Sequence, residues 1–318
     1  MKPLLSIPTF AELRLTQDAM KNMIHRTPVL TNQYIDELVG GSVYFKCENF
    51  QKVGAFKMRG AASASLRLDE DNKKRGIATH SSGNHAQAVA RAAQVLGIPA
   101  YIVMPQNAPK IKIEGTRSYG AEIIFCEPNQ HARELTLAEV VNKTGAYFIH
   151  PYDNYDVIAG QASATLELLT DFPALDIIIA PVGGGGLLSG TALAAHYINP
   201  DLIVLGSEPK RVDDAFRSFR SGHIEKNERV DTIADGLRTT LGTLTLDLIK
   251  RHVTDILTVE EEEIVQAMRM IWERMKIIIE PSCAVPLAAI LANKEIFIGK
   301  KTGVILTGGN VDLGNLPF

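Results

Sequence analysis

The sequence predicts an α/β protein with parallel-type sheets covered on both faces by helices. Three observations carry this. Short apolar runs such as 100–104 (AYIVM) and 176–182 (DIIIAPV) alternate with helical stretches along most of the 318 residues. Runs with no polar side fit strands buried on both faces. Glycines and hydroxyl residues gather just after several of these runs, where a strand hands over to a helix. No repeat of 20–50 residues and no low-complexity linker interrupts the alternation.

In chain order, 42–47 (SVYFKC) is β-rich and 59–69 reads as helix. A short strand over 77–80 precedes an Ala-rich helix over 86–96, then the buried strand 100–104. Helix 110–119, strand 122–126, helix 133–143 and the extended piece 147–150 follow. Next come helix 161–170, strand 176–182, helix 187–198 and strand 203–208. A long helix is expected over 259–276, opening on the acidic run 260–263, which suits the positive end of a helix. The last elements are a short helix over 286–291, with Pro286 in its first turn, and a strand over 302–307.

Composition narrows the function. Hydrophobic residues make up 46%, enough for one large or two smaller cores, and Lys plus Arg (33) nearly balances Asp plus Glu (36). That balance fits a small-molecule enzyme and excludes a basic nucleic-acid surface or an acidic tail. Cys47, Cys126 and Cys283 are odd in number and lack CxxC spacing. They read as buried, reduced thiols of a cytoplasmic protein, not a disulfide framework or zinc site. MKPLLSIPTFAEL carries neither a signal peptide nor a membrane span.

Four segments stand out as chemistry. Residues 181–190 (PVGGGGLLSG) put four glycines between an apolar strand and a helix. Glycine backbone can approach an anion closely, and a helix start offers free N–H groups, so this reads as a phosphate cradle or, more blandly, a flexible tight turn. It matches neither GxGxxG nor a P-loop. Residues 81–85 (SSGNH) form a donor-rich turn suited to a carboxylate, and read equally well as an ordinary N-cap. Lys57 lies between Phe56 and Met58, where an apolar setting lowers a lysine's pKa and makes it a Schiff-base nucleophile, although most such lysines simply reach solvent. Thr307 ends an apolar strand, where a hydroxyl can meet a heterocycle nitrogen or merely cap the strand.

Seven motifs occur in one order: FKCENFQKVGAFKMRGA, HSSGNHAQAVA, IAGQASATLELL, PVGGGGLLSG, ADGLRTTLG, IIIEPSCAVPLAAI and TGGNVDL. Together they resemble fold-type II pyridoxal-phosphate enzymes, in the serine racemase and serine/threonine dehydratase branch, from about residue 26 to 312. The resemblance implies two open parallel-type sheets with helices on both faces. It also implies a large cofactor domain (1–75 and 153–318) and a small substrate-loop domain (76–152).

The resemblance assigns roles. Lys57 would hold pyridoxal 5'-phosphate as a Schiff base and act as general base on the substrate's α-proton. Gly183, Gly184, Gly185, Gly186 and the Leu187 amide would hold the phosphate, Asn84 the phenolic oxygen, and Thr307 the ring nitrogen. Ser81, Ser82, Asn84 and His85 would bind the substrate carboxylate, with Ser82 as the second proton donor needed for racemisation. Arg133, helped by Thr239, would face the far end of the substrate, where a second carboxylate could sit; Arg133 also reads as a solvated helix-start arginine. Glu208, Val212 and Asp214 in EPKRVDD would bind Mg2+, Mn2+ or Ca2+, hard cations suited to oxygen ligands; the same stretch also reads as a solvated acidic loop.

The implied activity is β-elimination of L-serine, L-threonine or L-threo-3-hydroxyaspartate to a keto acid and ammonia, together with serine racemisation. A homodimer with a small amino-acid substrate is implied, with no nucleic acid or membrane partner. Lys52, Gln87, Lys112 and Tyr119 match the ATP pocket of some racemases, but Asn32 and Gln33 replace its Ser-Ser pair, which argues against ATP activation. Two alternatives stand beside this. Cysteine synthase relatives share the fold but lack a histidine at the position of His85. A non-catalytic nucleotide-binding regulator would use the glycine loop and leave Lys57 and Thr307 without a role.

Overall fold

A computed structural model describes residues 1–318 apart from Pro109, Glu228 and the side chain of Ile111. The strands are β1 (Val29–Leu30), β2 (Ser42–Cys47), β3 (Ile77–His80), β4 (Ala100–Pro105) and β5 (Glu122–Cys126), then β6 (Tyr147–Phe148), β7 (Ile177–Pro181), β8 (Ile203–Pro209), β9 (Asp255–Val259) and β10 (Lys301–Leu306). The helices of the first half are α1 (Phe10–Met20), α2 (Gln33–Val39), α3 (Lys57–Leu66), α4 (Glu70–Arg75), α5 (Asn84–Leu96), α6 (Lys110–Arg117) and α7 (Gln130–Thr144). Those of the second half are α8 (Tyr155–Asp171), α9 (Gly186–Ile198), α10 (Asp214–Ser221), α11 (Thr243–His252), α12 (Glu261–Met275), α13 (Pro281–Ala292) and α14 (Lys294–Phe297).

Two sheets result. The larger runs β1-β2-β10-β7-β8-β9, and the smaller runs β5-β4-β3-β6. Every pairing is parallel except β1 with β2, so the larger sheet is mixed at one edge. Every residue of β7 is buried, as are the last five of β10, which is why both read as unbroken apolar runs. Cys47, Cys126 and Cys283 are free and buried, as their spacing implied. No described helix is long and apolar enough to cross a membrane.

Three helices stack almost backbone to backbone behind the larger sheet. A Cβ at Gly160 would collide with the Arg59 carbonyl, and one at Gly190 would lie 2.7 Å from Ile158 O. Glycine at these places lets α8 sit tightly between α3 and α9, fixing the starts of the latter two relative to each other.

Several boundaries differ from expectation. Helices α3 and α5 begin two residues early, which places Lys57 and Asn84 at their first positions. The long helix expected over 259–276 is α12, starting two residues later because Val259 closes β9, with the Glu260 N–H donating to Glu263 Oε2 at 2.8 Å at its start. Pro286 is not in a first turn, because Pro281 takes that place and α13 continues through Pro286 with one ladder bond fewer. Burial of residues 282–290 against the sheet outweighs the loss.

Candidate active site

Strands β2, β10 and β7 are neighbours, with Leu306 opposite Cys47 and Val304 opposite Ile179. Their carboxyl ends therefore open at one edge, where ligands collect in parallel sheets. From these ends run the segment to Lys57, then Thr307, then the glycines. Phe56 N–H donates to Thr307 O at 2.9 Å, and Ala55 bridges Gly308. Lys57 and Thr307 are thus stitched together by backbone.

The Lys57 ammonium donates to Pro151 O at 2.9 Å and lies 5.1 Å from the centre of the Phe56 ring. Burial draws its pKa down to about 8, against the pull of the Glu280 carboxylate. An amine partly neutral near pH 7–8 can act as nucleophile and base. Thr307 Oγ1 is buried and has no partner among the described residues, so a ring nitrogen would satisfy it.

Among the described residues, the amides of Gly183, Gly184 and Gly185 meet no acceptor. Gly186 and Leu187 open α9, where N–H groups are free by helix geometry. Gly185 holds φ +88°, and a Cβ there would lie 2.8 Å from Leu241 and Thr245 side-chain atoms. One at Gly184 would run into the Tyr152 ring, and one at Gly183 would come 3.2 Å from Thr239 Oγ1. Packing behind the loop thus demands glycine while its donors stay open. A phosphate fits this cradle.

Ser81, Ser82 and Gly83 turn the chain from β3 into α5, and Gly83 N–H donates to Ser81 Oγ at 3.3 Å. Asn84 is held at both ends. Its Nδ2 donates to Glu280 Oε1 (2.9 Å) and Oε2 (3.1 Å), while its Oδ1 accepts from Asn310 Nδ2 (2.8 Å). His85 Nε2 meets Ile149 O at 3.1 Å, and Nδ1 is buried without a partner among the described residues. Burial first, and the Lys57 charge second, push its pKa well below the usual value. Neutral His85 therefore carries its proton on Nε2, so gripping a carboxylate through Nδ1 requires proton uptake. Glu280 is buried and lifted to about pH 7 by burial and Asp235, with the Asn84 bond opposing.

Arg133, on α7, has a buried Nε with no partner among the described residues. It adds to burial in lowering the pKa of His80, the residue before Ser81. Arg133 as a whole is partly exposed and forms no ion pair among the described residues, which fits a substrate-facing and a solvated guanidinium alike. Lys112 is engaged with Asp235 at 2.6 Å.

Glu208 and Asp214 form a separate cluster. Both are buried, and Glu208 accepts from Ala215 N–H (3.1 Å) and Phe216 N–H (2.9 Å). Burial and Asp214 drive the Glu208 pKa well up, and burial lifts Asp214 to about 7. Asp214 Oδ2 is buried and unpartnered among the described residues, while Oδ1 takes the Asn227 amide. Two buried carboxylates short of a cation fit a hard divalent ion.

Glu280, Pro151, Tyr152, Asp153, Thr245 and Asn310 went unnoticed in the sequence reading. Glu280 and Asn310 lie inside quoted motifs, which was the available signal. Pro151 acts through its carbonyl, which no side-chain pattern reveals.

The chain belongs to the pyridoxal-phosphate dependent enzyme family, whose model matches residues 20–308. It is 47% identical over 312 residues to the beta-hydroxyaspartate dehydratase of Paracoccus denitrificans, covering 98% of this chain and 99% of that one. The L-threo-3-hydroxyaspartate ammonia-lyase of Saccharomyces cerevisiae is 44% identical, with 96% and 94% covered. The crystal structure of serine racemase from Dictyostelium discoideum superposes with a TM-score of 0.92 at 48% identity, covering 96% of this chain and 99% of that one.

Proposed function

We propose that this enzyme eliminates water from 3-hydroxy amino acids, L-threo-3-hydroxyaspartate foremost, that rehydration of the product then releases a keto acid and ammonia, and that it also racemises serine. The observation that carries the reading is the buried Lys57 amine, bonded to the Pro151 carbonyl and with its pKa drawn down to about 8. Pro151 is next to the Tyr152 that packs on the glycine loop, and Thr307 is tied to the residue before Lys57 through the Phe56 N–H. When bound, pyridoxal phosphate supplies a Schiff-base linkage to Lys57 and an electron sink for the substrate's α-carbon. Gly183–Leu187 would hold its phosphate, Asn84 its phenolic oxygen and Thr307 its ring nitrogen.

The chain's own residues do the rest. Ser81, Ser82, Asn84 and the amides opening α5 receive the α-carboxylate at a positive helix end, and His85 joins them by taking up a proton on Nδ1. Lys57 Nζ takes the α-proton as general base. Ser82 Oγ handles the proton on the opposite face, which racemisation needs. Arg133 pairs with a distal carboxylate, Thr239 assists, and the printed names of two relatives, the beta-hydroxyaspartate dehydratase and the L-threo-3-hydroxyaspartate ammonia-lyase, support that substrate class.

Glu208, the Val212 carbonyl and Asp214 would bind Mg2+, Mn2+ or Ca2+. Residues 76–152 would form the substrate-loop domain against 1–75 and 153–318, in a cytoplasmic homodimer. Steady-state assays with L-serine, D-serine, L-threonine and L-threo-3-hydroxyaspartate test the reading, scoring keto acid and enantiomer together. The hydroxyaspartate should show the highest kcat/KM, and Arg133→Gln should cut that value at least about tenfold while L-serine changes little. Equal loss for both substrates would reject the distal-carboxylate role.

A further inference from the structure

Helix α11 begins after Gly242, which has no side chain to cap it. Ser, Thr, Asp or Asn normally accepts from the first free N–H groups at that place. Here the acceptor comes from far along the chain. Asp153 Oδ1 accepts from Leu244 N–H (2.9 Å) and Thr245 N–H (3.2 Å), and Oδ2 from Thr243 N–H (3.2 Å). A Cβ at position 242 would land on this carboxylate, so glycine and aspartate fit as a pair.

The cap reaches the site on two sides. Thr245, in the first turn of α11, donates from Oγ1 to Gly184 O at 2.9 Å, and its Cβ presses against Gly185. Tyr152, beside Asp153, lies over Gly184 and Gly186. One residue further back, the Pro151 carbonyl holds Lys57 Nζ, and the Asp153 N–H is itself fixed on His150 Nδ1 at 2.8 Å. The carboxylate also occupies the free donors of α11, so an arriving anion meets only those of α9 and its glycines.

We propose that Asp153 is a positioning residue whose remote cap on α11 sets the glycine loop and the Lys57 amine in register. It touches neither cofactor nor substrate. The inference rests on the reading of residues 183–187 as a phosphate cradle.

The test compares two probes on the full-length chain freed of cofactor with hydroxylamine. Pyridoxal phosphate uses the cradle, whereas pyridoxal lacks the phosphate and does not. Wild type should bind pyridoxal phosphate much more tightly, read from the visible absorbance. Asp153→Ala should shrink that preference by roughly fivefold or more, the range expected for a lost helix cap. Asp153→Asn, which keeps one acceptor oxygen, should recover part of it. Thr245→Val, near-isosteric, should shift the preference in the same direction and serves as the second variant if Asp153→Ala does not fold. General destabilisation would weaken both probes alike and leave their ratio intact. An unchanged ratio in the folded variants overturns the role of Asp153. No phosphate preference in wild type would instead reject the cradle reading, and the inference with it.

Discussion

Asn84 and Glu280, 196 residues apart, are joined by two hydrogen bonds of 2.9 and 3.1 Å from one amide group to both carboxylate oxygens. The pair connects the first residue of α5, under the smaller sheet, to the residue capping α13 under the larger one. It also places a buried acid beside Lys57.

Glu280 makes folding pH-dependent in a definite direction. Its carboxyl titrates near 7 when folded, mainly through burial, against a usual value of 4.5. Between those values the folded chain holds more protons than the unfolded one, so stability falls as pH rises through the window. In the cofactor-free chain, Glu280→Gln should remove this slope and raise stability at pH 8 by about 2 kcal/mol. Urea unfolding at pH 5 and pH 8 measures it, and parallel pH profiles for the two proteins would contradict it.

Arg59, two residues after Lys57, is fully buried between two carboxylates. It donates to both oxygens of Glu48 (2.7 and 2.8 Å) and both of Glu167 (2.9 Å each), and Lys46 also reaches Glu167 at 2.6 Å. The four charges cancel. Arg59→Met strands a carboxylate in the core and should cost about 3–5 kcal/mol, since breaking a buried pair leaves an uncompensated charge. A loss below about 1 kcal/mol in chemical denaturation would show that solvent reaches the cluster.

Ser82 should separate the two activities. Ser82→Ala should abolish racemisation and turnover of D-serine while L-serine elimination persists, because only one face loses its proton group. Chiral chromatography of the products decides. Equal survival of both activities would rule out a two-face arrangement.

Removing a divalent ion from Glu208 and Asp214 should lower thermal stability, since two buried carboxylates would then lose their neutralising charge. EDTA should reduce Tm and activity, and Mg2+ or Ca2+ should restore both. Glu208→Gln should blunt the response to chelator. A Tm indifferent to EDTA in wild type would reject the site.

Much of this was legible in the sequence. Strands 177–181 and 302–306, buried on both faces, carry no competing periodicity, and the four glycines after the first mark a strand-to-helix turn that reads as an anion cradle or a flexible tight turn. The weaker elements escaped. Strand β9 is short and runs straight into an acidic helix start, so it reads as no element of its own and its last residue counts with the helix. Helix α11 has threonines in its first turn and a glycine cap, and its start depends on Asp153, which no local pattern shows. Glu280 reads as a surface acid until packing encloses it. The half-buried setting of Arg133 likewise depends on how α7 meets β3, a tertiary fact.

The central claim is that Lys57 carries the cofactor. Borohydride reduction of the holoprotein followed by peptide mass analysis tests it most directly. A pyridoxyl-phosphate adduct on the peptide containing Lys57, together with loss of the visible band in Lys57→Ala, is the expected result. An adduct on another lysine, or a Lys57→Ala protein that keeps its visible band and incorporates the label on reduction, would contradict it.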